Sequence, residues 1–200
     1  MAQVMKLNAS AGQSLASFVK LSKLLTYIGG ANSVAYGDKE TVILDMRAPG
    51  SYGADLSLGQ GSDHVRAFTV APSSGQAAMP SGGIVVALKD MKFVGLPKQV
   101  AAGPVSFQFT NQGPQLHEME LVRLDPGKTQ KDVIALLRSP QGQNGPPPWA
   151  HDIGGMDVLS PHQFARMQLN LTPGYYIAMC FLPDVKKHGT PHVMEGMIAH

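Results

Sequence analysis

Hydrophobic and polar positions alternate with a period of two in several short runs of this 200-residue chain. In PVSFQFT, Val105, Phe107 and Phe109 alternate with Ser106, Gln108 and Thr110, the pattern of a strand with one face buried and one wet. In HEMELVRL, His117, Met119 and Leu121 fall on one face, and Glu118 and Glu120 on the other. IVVALKDMKF (84–93), LNL (169–171), YYIAM (175–179), LDM (44–46) and AFTV (67–70) read as further strands. One stretch breaks the period: KDVIALL (131–137) follows Thr129 and carries Asp132 in its first turn, which predicts a short capped helix. The pattern predicts an all-β domain, a sandwich of short strands with short helical insertions.

Composition agrees. With 44% hydrophobic and 15% charged residues the chain is an ordinary globular one, and its 22 glycines and 15 prolines suit strands joined by turns better than a helical bundle. Net charge is +2, from scattered Lys and Arg with no basic run beside an aromatic platform, so nucleic acid is not expected as a partner. No apolar run approaches the ~20 residues that span a bilayer. The first residues, MAQVMKLNAS, lack the charged start and apolar core of a secretion signal. A single cysteine excludes an intramolecular disulfide.

The chain also contains an internal similarity. Residues 28–56 can be laid over residues 153–180, sharing IGG at Ile28 and Ile153, Pro-Gly turns at Pro49 and Pro173, and Tyr52 with Tyr176. Upstream, MAQVMKL resembles KDVIALL. The offset of about 125 residues points to a duplicated domain rather than to stacked repeats. The expected division is a partial, degenerate copy over residues 1–75 and a fuller domain over 76–200. A half-sandwich leaves strand edges bare, so residues 1–75 are expected to be missing a front half or to complete a sheet with another chain, giving self-association through those edges. The second copy also stops short, and a targeting signal is expected to lie beyond the ends seen.

The stretch AMCFLPDVKKHGTPHVMEGM (178–197) holds the lone cysteine. Cys180 closes a predicted strand, His192 and Met197 follow in the next loop, and His117 opens another strand after the turn NQGPQL. Two imidazoles, one thiolate and a thioether are the donor set that serves both oxidation states of copper in electron transfer. His188 is an alternative to His192, and Met194 to Met197. Zinc also takes Cys and His, but a fourth strong ligand is not evident. Cysteine nucleophile chemistry wants an exposed thiolate beside a base, commonly at a helix start, whereas this cysteine follows a strand.

These residues resemble the cupredoxins, which place one histidine at a strand start after an Asn-containing turn and a Cys, His, Met cluster on the loop between the last two strands. The four residues between His192 and Met197 match a family spacing, while the eleven between Cys180 and His192 make a loop longer than in small members and nearer to that of copper nitrite reductases. The resemblance covers roughly residues 82–200. It implies a Greek-key β-sandwich and one type 1 copper held by His117, Cys180, His192 and Met197. It further implies single-electron exchange with a redox protein partner, in a periplasmic or extracellular location. The first copy has Leu56 where the second has Cys180, and only His64 resembles His192, so it is expected to be metal-free. No His-x-His pair occurs, and only His151, His162 and His200 remain, the first two expected in loops. Oxidase and nitrite reductase activities are therefore not expected, and the chain reads as a carrier rather than an enzyme. The competing readings are a metal-free sandwich used for binding or assembly, and a copper carrier.

Overall fold

Period-two segments become strands because alternation lets each bury one face. A computed structural model describes residues 14–32, 37–55, 65–75, 78–143 and 146–200 of the chain. MAQVMKL, Leu56 and His64 lie outside the described residues. The chain divides into two compact units, the first comprising Met1–Thr26 and Asp45–Pro80, the second Tyr27–Leu44 and Ser81–His200. The segment Tyr27–Leu44, which the sequence places with the first repeat, thus belongs to the same unit as residues 81–200.

The described part of the first unit holds one helix and one hairpin. Helix α1 (Leu15–Leu24), not anticipated from the sequence, starts at Ser14, whose Oγ accepts the Ser17 N–H at 3.1 Å. Strands β2 (Gly50–Asp55) and β3 (Val65–Val70) pair antiparallel, with Tyr52 stacked on Phe68 at 5.8 Å between ring centroids.

In the second unit, β1 (Thr41–Leu44), β4 (Ile84–Lys89), β5 (Lys92–Val94), β6 (Gly103–Asn111) and β9 (Phe164–Leu171) form a five-stranded sheet in the order β1-β9-β6-β4-β5. Strand β4 runs parallel to β6 and every other pair is antiparallel. Strands β7 (His117–Leu124), β8 (Ala150–Leu159), β10 (Tyr175–Met179) and β13 (Ile198–Ala199) form a second sheet, β13-β10-β7-β8. The chain passes from one sheet to the other between β6 and β7, between β8 and β9, and again between β9 and β10, which makes a Greek-key sandwich. Its core interleaves Val86, Phe107, Phe109 and Met167 from the first sheet with Met119, Leu121, Met156 and Ala178 from the second.

Helix α2 (Gln130–Leu137) forms where the capping pattern predicts it, the Asp132 carboxylate accepting from both the N–H and Oγ1 of Thr129 at 2.9 and 2.8 Å. Val133 and Leu137 pack with Val122, Ile177 and Met179 on the outer face of the second sheet. The two faces of HEMELVRL are thus both covered, and Glu118 is only 9% exposed.

The segment AHDIGGMDVL corrects the sequence reading. Its glycines and His151 read as loop, yet all of it is β8, and His151 pairs across to Arg123. Glycine serves here for close approach rather than for a turn. The ladder with β7 is irregular between Leu121 and Val122, and a Cβ at Gly155 would stand 2.0 Å from the Met119 carbonyl oxygen.

The two tyrosines aligned by the internal similarity make the same bond. Tyr52 Oη donates to the Ala48 carbonyl and Tyr176 Oη to the Thr172 carbonyl, each at 2.7 Å and each to the residue before the Pro-Gly pair. Among the described residues no helix is long and apolar enough to cross a membrane.

Candidate metal centre

His117 is held from the loop that precedes it. Asn111, the last residue of β6, is fully buried; its amide donates to the carbonyls of Gln115 and Leu159 at 2.8 Å each, and its Oδ1 accepts the Gly113 N–H at 2.9 Å. The N–H groups of Gln112 and Gly113 donate to the Leu88 carbonyl at 2.8 and 3.1 Å. With NQGPQL tied down at five points, the start of β7 has little freedom.

The His117 ring is 0% exposed, and its Nε2 lies 3.1 Å from Oδ1 of Asp90, in the turn between β4 and β5. Burial lowers the imidazole pKa and outweighs the opposing pull of Asp90, so the ring is neutral. Burial works to raise the Asp90 carboxyl, but hydrogen bonds from His117 and Gln115 and the nearby Lys186 charge overcome it and hold the group below the usual range. Nε2–H therefore donates to a carboxylate, and the proton-free Nδ1 is buried without a partner. The fit is close: a Cβ on Gly113 would come within 2.7 Å of both Asp90 Oδ1 and His117 Nε2.

Cys180, immediately after β10, and His192 are placed by a loop that closes on itself. Cys180 N–H donates to the Met197 carbonyl at 3.2 Å, and its own carbonyl accepts Val193 N–H at 2.7 Å. The N–H groups of His192 and Met197 donate to the carbonyls of Leu182 and His192 at 2.9 and 3.0 Å. The extra length between cysteine and histidine is taken up by a hairpin of β11 (Pro183–Asp184) and β12 (Thr190–Pro191), which returns the chain at the 3₁₀ turn His192–Glu195.

Sγ of Cys180 then lies 3.4 Å from Nδ1 of His192, and the rings of His117 and His192 are 4.9 Å apart. One ligand atom from each of His117, Cys180 and His192 falls within 4.8 Å of the others, and among the described residues this is the one such group. Donors around a trigonal ion with bonds of about 2.0–2.3 Å stand about 3.5–4 Å apart, so a metal ion fits with small adjustment. Burial, then the neighbouring His117, pushes His192 down to about 4, while burial, then Glu118, pushes the Cys180 thiol up to about 12. Two neutral imidazoles and a sealed thiol are a donor set without an internal counter-charge. His117 Nδ1 and His192 Nε2 are both buried without a hydrogen-bond partner, a cost that a ligand at the centre would relieve on the His117 side.

Met197 is 0% exposed, and its main chain bonds to both Cys180 and His192. The alternatives fall elsewhere: His188 sits exposed in the hairpin turn with φ +58°, and Met194 is 37% exposed. His162 is exposed in a turn, His151 pairs with Asp125 at 2.8 Å, and His200 reaches Gln130 at 3.0 Å. The sequence reading missed Asp90, Asn111 and Gly113. Only the NQG turn signalled two of them, and no local pattern links Asp90 to a histidine 27 positions later.

No protein-family model matches the sequence, and no curated protein matches it. Among solved structures the chain is similar to a sodium-dithionite-reduced auracyanin from the photosynthetic bacterium Roseiflexus castenholzii, at 20% identity over 57% of this chain and 90% of that one, with a TM-score of 0.41. It is also similar to auracyanin B, at 16% identity over 62% of this chain and 89% of that one, with a TM-score of 0.37. On its own sheets, the second unit is a Greek-key β-sandwich with a buried His-Cys-His cluster drawn from the start of β7, the residue after β10 and the 3₁₀ turn that follows β12.

Proposed function

We propose that the protein is a type 1 copper protein that passes single electrons between redox partners outside the cytoplasm. His117 through Nδ1, Cys180 through Sγ, His192 and, more weakly, the thioether of Met197 would hold the ion. Bound copper would supply one-electron chemistry between Cu(I) and Cu(II). The observation that carries the reading is the convergence of His117, Cys180 and His192 in a fully buried cluster, with Asp90 orienting His117 from behind.

The chain's own contribution is rigidity and exclusion of water. Asn111 locks the loop before His117, the Cys180–Met197 loop is laced by its own amides, and the ligand residues are at most 1% exposed. A site so fixed rearranges little when its charge changes by one, which favours transfer over catalysis.

The test is a copper titration of the reduced protein followed by visible absorption, with Cys180→Ser in parallel. An intense thiolate-to-Cu(II) charge-transfer band, saturating at one copper per chain and absent from the variant, is the expected result. Colourless uptake of zinc in preference to copper, or no uptake by a folded protein, sinks the reading.

A further inference from the structure

A second concave feature lies on the reverse side of the strand end that carries Cys180. Between α2 and the outer face of the second sheet is a cavity of about 280 Å³, walled by Val122, Val133, Leu137, Trp149, Met179 and Phe181. Met179 and Phe181 flank Cys180 in sequence, so they face the cavity while the thiol faces the sandwich interior.

Two acids share this apolar surface. Glu120 stands opposite Met179 in the β7–β10 ladder, Asp152 stands opposite Val122 in the β7–β8 ladder, and both line the cavity. Among the described residues neither accepts a hydrogen bond or joins a salt bridge. The charge balance says the same: burial, then Asp152, pushes Glu120 up to about 7, and burial raises Asp152 against the weak pull of His151. Lys128 does not answer them; its ammonium lies over the Trp149 ring at 5.1 Å from the centroid.

The chemistry of the occupant follows by elimination. An anion is repelled by both carboxylates. A neutral apolar molecule would strip water from them and return nothing, a penalty of a few kcal/mol for buried polar groups. A bare divalent cation needs about six oxygens, and this surface is mostly hydrocarbon. An ammonium group on an apolar body answers both parts of the lining: the acids take the charge, and the hydrocarbon and rings take the body. The volume is at the small end of ligand cavities, about 300 Å³.

We propose that this cavity binds a small organic amine in its cationic form, with Glu120 and Asp152 holding the ammonium group and Trp149 and Phe181 covering its apolar body. The site does not depend on copper, and it stands or falls apart from the electron-transfer reading.

Trp149 is the chain's single tryptophan, so its emission reports on this wall alone. The experiment titrates the full chain with phenethylammonium and, separately, with its neutral counterpart 2-phenylethanol, following Trp149 fluorescence. The expected result is a saturable change with the amine, at least about tenfold weaker with the alcohol and in a Glu120→Gln/Asp152→Asn variant. Equal binding of amine and alcohol, or no saturable change with the amine, overturns the proposal. The amine-against-alcohol comparison uses the native chain and so is decisive even where the double variant fails to fold.

Discussion

At the scale of residues, the candidate centre depends on groups that do not themselves face the ligand position. Asp90 fixes the His117 tautomer through Nε2, and loss of such an outer carboxylate lowers metal affinity by about 10- to 100-fold in comparable sites. We expect Asp90→Ala to weaken copper binding by that amount in a competition titration, Asp90→Asn to recover most of it, and His188→Ala to leave it unchanged. Glu40 offers a pH test away from the centre. Its Oε2 accepts the Gly155 N–H at 3.1 Å, and burial pushes its carboxyl up to about 7. A carboxyl whose folded pKa is raised keeps its proton longer in the folded state, so its contribution is full below about pH 4.5 and is lost as pH rises toward 7. Discounted for its partial exposure, the loss is about 1–2 kcal/mol. Unfolding measured at pH 5 and pH 8 should show that Glu40→Gln removes this part of the slope; an unchanged slope sinks the assignment.

At the scale of elements, strands and helices respond to features of opposite legibility. Alternation in PVSFQFT and the Thr129–Asp132 pair were readable because the forces involved are local: one buried face per strand, one capped helix start. Strand β8 was not, because its glycines look like turn residues until β7 is beside them. We expect Gly155→Ala to cost about 2–4 kcal/mol in chemical denaturation, since a methyl group there collides with the Met119 carbonyl and β7 and β8 must part to admit it. The β7 face bearing Glu118 and Glu120 is covered for a reason that is likewise not local. Glu118 accepts the Phe181 N–H, and Glu120 faces a cavity under α2, which arrives from thirteen residues downstream of His117.

At the scale of the whole molecule, the division of the chain bears on stability. β1 pairs with β9 over Thr41–Leu44, and Ile28 and Ala31 bridge to β8, so residues 27–44 complete sheets built by residues 81–200. A fragment of residues 81–200 is expected to be about 2–4 kcal/mol less stable than the full chain by urea unfolding, from the half-buried Val42 and Leu44 and the uncovered edge of β9. Copper at about 1,000 times its Kd should in turn add about 4 kcal/mol to the full chain and nothing to Cys180→Ser, as read by calorimetry. The amino-acid order by itself determined the β class, the short helix, and the identity of His117, Cys180 and His192 as candidate donors, because strand period, capping and donor chemistry are properties of neighbouring residues and residue types. The sequence favoured His192 over His188 through its spacing to Met197, but the physical difference between the two is tertiary: both are one loop away from the cysteine, and only the β11–β12 hairpin sends one inward and leaves the other in solvent. Asp90 behind His117, the unpaired Glu120 and Asp152 under α2, and the place of residues 27–44 were likewise decided there, since each rests on contacts between segments far apart in the chain, where no local pattern records who the neighbour will be.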